Sequence, residues 1–142
     1  MLVRFTNDLL TGNDQIDNQH KEWFIKLDNF WRAAREGKGK DKVIDSLIFL
    51  KDYVQIHFRD EEKLQQESTY PKYESHKAMH EYYIEQVDIL LDLLQERGAD
   101  FSLSVDTLNT MLEWVVTHIQ KVDKDLALYL GAKPQTTPAN EK

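Results

Sequence analysis

The chain has 142 residues, 41% apolar and 30% charged, which is the balance of one soluble globular domain with a real hydrophobic core. Its net charge of −7, with no Lys or Arg cluster beyond short solvated stretches such as Lys38–Lys42, argues against nucleic acid as a partner. There is no cysteine, which excludes disulfides, thiolate zinc sites and cysteine-ligated iron–sulfur clusters, so a metal here must be held by His, Asp and Glu.

No long apolar run follows Met1-Leu2-Val3-Arg4-Phe5, so neither a secretory signal nor membrane insertion is expected, and the default location is cytoplasmic. About the first 15 residues read as an extended arm. The first helical stretch carries His20, Trp23, Phe24, Leu27, Trp31 and Ala34 at spacings of three and four, with Asp17 as its expected N-cap and Gly37 as its stop. A second stretch, started by Asp41, places Ile44, Leu47, Ile48, Val54, His57, Phe58, Glu61 and Leu64 on one face. The third follows Pro71, holds His76, His80, Tyr83, Val87, Leu90, Leu91 and Leu94, and ends at Gly98. The fourth, with Ser104 as its expected cap and Gly131 as its stop, holds Leu108, Met111, Leu112, Val115, His118, Ile119 and Val122.

No strand alternation competes with this pattern. Helices of about 20 to 26 residues run about 30–39 Å, and short loops make them antiparallel neighbours. The expectation is an all-α, up-down-up-down four-helix bundle with an extended N-terminal arm, one domain over residues 1–131, and a disordered tail over 132–142.

The five histidines carry the functional signal. Each of the four helices bears at least one, on its inward face. His57 and Glu61 are spaced i, i+4, as are His76 and His80, so each pair shares a helix face and can reach one point in the core. Imidazole and carboxylate are the ligands of a non-thiolate iron or zinc site. Asp123 follows His118 by five residues, about 140° round an ideal α-helix. Both can serve one site if the helix widens into a π turn, or if they approach a larger, two-metal site from different sides.

The segments Ile16-Asp17-Asn18-Gln19-His20, His57-Phe58-Arg59-Asp60-Glu61-Glu62, Tyr70-Pro71, His76-Lys77-Ala78-Met79-His80 and His118-Ile119-Gln120-Lys121-Val122-Asp123 resemble the bacterial hemerythrins in order and spacing, across nearly all of residues 5–130. The resemblance implies a di-iron centre. His20 and His57 would bind one iron, His76, His80 and His118 the other, and Glu61 and Asp123 would bridge them together with an oxo or hydroxo group. The three-His iron would then be saturated and the two-His iron would keep one open position, where dioxygen would bind reversibly. Glu62, next to a ligand but turned about 100° away, is expected behind the ligands or in solvent.

Di-iron oxidases on related bundles use more carboxylates and fewer imidazoles, so the implied role is a carrier, store or deliverer of oxygen, not an enzyme. The alternatives are an O2 or redox sensor acting through a separate partner, of which the sequence identifies none, and a di-iron oxidase, peroxidase or nitric oxide reductase. Trp23, Phe58, Trp114, Val115 and Ile119 are the expected walls of the dioxygen pocket. In similar proteins a Trp often stands where Phe5 is and a Leu where Trp23 is; the larger Trp23 ring is expected to narrow access to the open iron.

Overall fold

The computed structural model describes residues 3–131. The expected tail, 132–142, lies outside the described residues. Four long helices form the bundle: α1 (Asp14–Arg35), α2 (Lys40–Glu67), α3 (Tyr73–Arg97) and α4 (Phe101–His118), the last running through a π turn (Ile119–Asp123) into α5 (Lys124–Tyr129). No strand occurs among the described residues. Each helix packs on its two sequence neighbours, and α1 closes the ring against α4. The candidate ligands lie near the starts of α1 and α3 and near the ends of α2 and α4, so the alternating chain direction is what gathers them at one end.

α2 starts at Lys40 behind Gly39, one residue before the expected Asp41, and two other helix starts differ by a full turn. α1 begins one turn early, capped by Asn13, whose side chain accepts from the Ile16 N–H at 3.0 Å. Asp17 is therefore in the first turn, and it is buried. Its carboxylate accepts from Thr11 N (2.8 Å), Thr11 Oγ1 (2.7 Å) and Gly12 N (3.1 Å), tying the arm to the helix. α4 is capped by Asp100, which accepts from Leu103 N at 2.8 Å, while Ser104 lies buried inside the helix. A cap residue type does not declare its position, and in both cases the true cap stood four residues upstream. Gly37 and Gly98 follow α1 and α3 as expected, at φ 63° and 84°.

The arm, extended except for a 3-10 turn (Asn7–Leu9), is also packed: Val3 and Leu9 join the main core and Phe5 sets its ring edge-on to Phe24. That core runs from the candidate ligands to the far end of the bundle through Leu27, Phe30, Leu47, Leu50, Val87, Leu94, Leu108 and Met111. A smaller apolar cluster, Ile16, Tyr70 and Leu126, closes the opposite side. The polar residues between them are thus shielded from both directions.

Because Asp17 accepts three hydrogen bonds from the arm, Asp17→Ala should cost about 2–4 kcal/mol. Denaturant unfolding measures this; a loss below about 0.5 kcal/mol would mean that Val3 and Leu9 hold the arm by themselves.

Candidate metal centre

His20 projects from α1, His57 and Glu61 from α2, His76 and His80 from α3, and His118 and Asp123 from the end of α4 and the π turn. All are buried, none more than 4% exposed. Glu61 Oε1 lies 3.0 Å from His76 Nε2 and 3.1 Å from His80 Nε2. Asp123 Oδ1 lies 3.0 Å from His76 Nε2 and 3.2 Å from His118 Nε2. The remaining oxygens turn the other way: Asp123 Oδ2 is 2.9 Å from His20 Nε2, and Glu61 Oε2 is 3.5 Å from His57 Nε2.

Two sets of donor atoms result, Glu61, His76, His80, His118 and Asp123 in one and His20, His57, Glu61 and Asp123 in the other, each within 4.8 Å of one another. Glu61 and Asp123 belong to both sets and offer a different oxygen to each, which is the geometry of bridging carboxylates. Asp123 reaches this position because the helix widens: in the π turn the Lys124 N–H bonds to the Ile119 carbonyl, five residues back.

The electrostatics suit cations. Burial and the nearby Asp123 both push the Glu61 carboxyl up, yet His57, His76 and His80 outweigh them and hold it at about 2. Burial likewise pushes Asp123 up, but His118, His20 and His76 hold it well below the usual carboxylate range. Burial drives His57 down to about 4 against the pull of Glu61. For His76 burial is outweighed by Asp123 and Glu61, which carry it up to about 9, and Glu61 and Glu62 raise His80 in the same direction.

Three residues behind the ring set its tautomers. His80 Nδ1 is 2.8 Å from Glu62 Oε2; a carboxylate only accepts, so Nδ1 carries the proton and Nε2 keeps its lone pair for the centre. Gln19 donates from Nε2 to Asp60 Oδ2 at 2.8 Å, which turns its carbonyl onto His57 Nδ1 at 2.6 Å and imposes the same tautomer there. Gln65 Nε2 faces His76 Nδ1 at 3.1 Å, leaving Gln65 Oε1 without a partner. Turning that amide over presents its carbonyl to Nδ1–H, the arrangement a metal-facing His76 requires. Gln19 and Gln65 escaped the sequence reading. Gln65 carried a signal, being four residues after Glu61 on the same face.

Of the expected pocket residues, Trp23, Phe58, Val115 and Ile119 are buried and Trp114 is half-buried, and the three aromatic ones contact ligand imidazoles. Trp23 lies against the two-His set, 5.6 Å from His57 and 6.2 Å from His20 between ring centres. Phe58 stacks on His80 at 3.8 Å and Trp114 on His118 at 4.4 Å, so these two rings cover the three-His set.

Whether these residues fit a metal pair is answered by their unmet valences. His20 Nε2, His57 Nε2, His80 Nε2 and both oxygens of Glu61 and of Asp123 are buried without a hydrogen-bond partner. An orphaned buried polar atom costs about 1–3 kcal/mol, and more when charged. His76 Nε2 faces two carboxylate oxygens and the His118 Nε2 at 3.0–3.1 Å, and one nitrogen with one proton or one lone pair cannot satisfy all three. One cation in each donor set would satisfy these seven atoms, and the imidazole–carboxylate chemistry suits a first-row divalent metal such as iron.

Residues 11–130 match the Hemerythrin HHE cation binding domain. The chain belongs to the hemerythrin family. It is 34% identical over 127 residues to the bacteriohemerythrin of Stenotrophomonas maltophilia (strain R551-3), covering 89% of this chain and 80% of that one. It is 33% identical over 111 residues to the bacteriohemerythrin of Methylococcus capsulatus (strain Bath), covering 76% and 80%. A crystal structure of wild-type hemerythrin superposes with a TM-score of 0.80 at 29% identity, over 93% of this chain and 100% of that one.

Ligation by this hemerythrin-type centre must compete with protons. With its pKa at about 9, His76 is protonated at neutral pH in the metal-free chain, and binding displaces that proton. Iron(II) affinity should therefore rise about tenfold per pH unit on this account, as pH approaches 9. Anaerobic calorimetry at pH 7 in buffers of different ionisation enthalpy should find about one proton or more released per chain. Binding without proton release would put His76 outside the donor set.

Proposed function

We propose that this chain binds dioxygen reversibly at a di-iron centre, with His20 and His57 on one iron, His76, His80 and His118 on the other, and Glu61 and Asp123 spanning both. The observation that carries this is the division of oxygens: each carboxylate turns one oxygen to each imidazole group, and each is otherwise without a partner. The five-to-two balance of imidazole over carboxylate supports carrying over turnover, since anionic ligands favour the high iron oxidation states used in oxygen cleavage. We therefore read the chain as an oxygen carrier, store or deliverer and not as an enzyme, and we place it in the cytoplasm. Among the described residues no helix is long and apolar enough to cross a membrane. The family match over 11–130 supports one domain across residues 1–131.

A bound pair of irons would supply the two electrons that dioxygen binding draws on. The protein supplies everything else. Gln19 and Glu62 fix the tautomers of His57 and His80 so that each Nε2 lone pair points inward. Glu61 and Asp123 bring two negative charges that offset the metal charge in a dry core. Trp23, wholly buried against His20 and His57, walls the two-His side, the side with fewer ligands, and excludes water and anions from it.

Purified protein should hold two irons per chain. Its reduced form should be nearly colourless, develop visible absorption in O2, and bleach when O2 is removed. Optical titration with an iron count checks this; irreversible oxidation on first exposure to O2 would favour an oxidase.

Trp23→Ala should let water and anions into the pocket. Truncating a buried Trp costs about 3–5 kcal/mol, so folding and iron content are verified first. Autoxidation and azide binding should then both be several-fold faster than in the parent, with Lys38→Ala as an unaffected surface control. Unchanged rates in an iron-loaded Trp23→Ala protein would remove Trp23 from the pocket wall.

A further inference from the structure

Tyr83, on α3 one turn beyond His80, is a further member of the aromatic layer above the metal centre. Its ring crosses the middle of the bundle, with centroids 5.3 Å from Trp23 on α1, 6.0 Å from Phe58 on α2 and 4.4 Å from Trp114 on α4. Each of those rings rests in turn on an imidazole of the centre. Tyr83 thus touches the coverings of both donor sets.

Its oxygen is the anomaly. Tyr83 is 2% exposed and its hydroxyl has no hydrogen-bond partner; the Trp23 indole N–H, wholly buried beside it, has none either. These are two orphaned polar groups in an otherwise apolar layer, where a buried Tyr or Trp normally finds a partner. Phenylalanine would fill the same volume without the penalty of about 1–3 kcal/mol that an unpaired buried hydroxyl carries. Burial pushes the Tyr83 phenol well above its ordinary pKa, and the Trp23 N–H opposes this only in part. The hydroxyl therefore stays protonated. With no acceptor bonded to it, its proton is free to be directed at a ligand.

We propose that Tyr83 binds the ligand of the di-iron pocket: its hydroxyl, unpartnered beside the Trp23 indole, donates a hydrogen bond to the outer atom of a two- or three-atom ligand seated on the His20–His57 side. This rests on the di-iron reading above. The chemistry recognised is a small ligand with partial negative charge on its outer atom. A phenol of raised pKa suits reversible binding, because it holds such an atom without transferring its proton and so does not convert the ligand into a better leaving group.

The test is Tyr83→Phe in the full iron-loaded chain, with azide as the probe of the oxidised protein. Azide should bind roughly three- to tenfold more weakly, the worth of one neutral hydrogen bond, mainly through faster dissociation. The infrared antisymmetric stretch of bound azide should shift between H2O and D2O in the parent and lose that shift in Tyr83→Phe. Without azide, the melting temperature of Tyr83→Phe should equal or exceed the parent's, whereas a hydroxyl with a structural partner would lower it. Equal azide affinity and equal isotope response in parent and variant, both carrying two irons, overturn the inference and leave the di-iron reading intact. A parent that takes up no iron overturns both. Should Tyr83→Phe not fold, the parent decides, and an azide stretch insensitive to D2O overturns the inference.

Discussion

Glu61 and Asp123 are carboxylates removed from water, and imidazole nitrogens are what their oxygens face in its place. Two negative charges in an apolar core are strongly unfavourable unless positive charge stands between them. Much of the surrounding arrangement answers that one demand. Imidazoles on four helices converge on these oxygens, the alternating helix direction brings their turns to one level, and a π turn swings the second carboxylate inward. Two cations, one in each donor set, would resolve the conflict and join the four helices at one end of the bundle.

Around this charged middle the protein is layered. The Ile16–Tyr70–Leu126 cluster closes one side, and Trp23, Phe58, Tyr83 and Trp114 cover the other. The aromatic layer separates the centre from the long aliphatic core, and a dry neighbourhood strengthens every electrostatic interaction inside it. The layer is not chemically uniform. Phe58 and Trp114 lie flat on His80 and His118, packing the set richer in imidazoles, while Trp23 stands over the set with fewer ligands. Differences in coverage and in donor number act together to distinguish the two donor sets.

The hydrogen bonds behind the imidazoles are equally asymmetric. His80 is backed by a carboxylate, Glu62, and His57 by the carbonyl of Gln19, held in place by Asp60. A carboxylate partner makes an imidazole a stronger donor than an amide does. The outer residues thus add a second bias between the positions, using side chains that touch no metal.

Helix periodicity, the i, i+4 pairs His57/Glu61 and His76/His80, and the absence of cysteine were all written in the chain, because they depend only on spacing and residue type. So was the conflict at His118 and Asp123, since five residues do not return to one face of an α-helix. What decided that conflict was tertiary: the π turn is tolerated because Asp123 is drawn to His20 and His76, on helices distant in sequence. The caps Asn13 and Asp100 were misplaced from sequence because several Asp, Asn and Ser residues lie near each start and only packing selects among them. Asp17, an apparent cap, was claimed instead by the arm folding back on it. Which carboxylate oxygen faces which imidazole, the orientation of Gln19, and the meeting of Tyr83 with Trp23 across the bundle are likewise beyond local pattern. They depend on side-chain directions between helices, and periodicity fixes a face without fixing what waits opposite it.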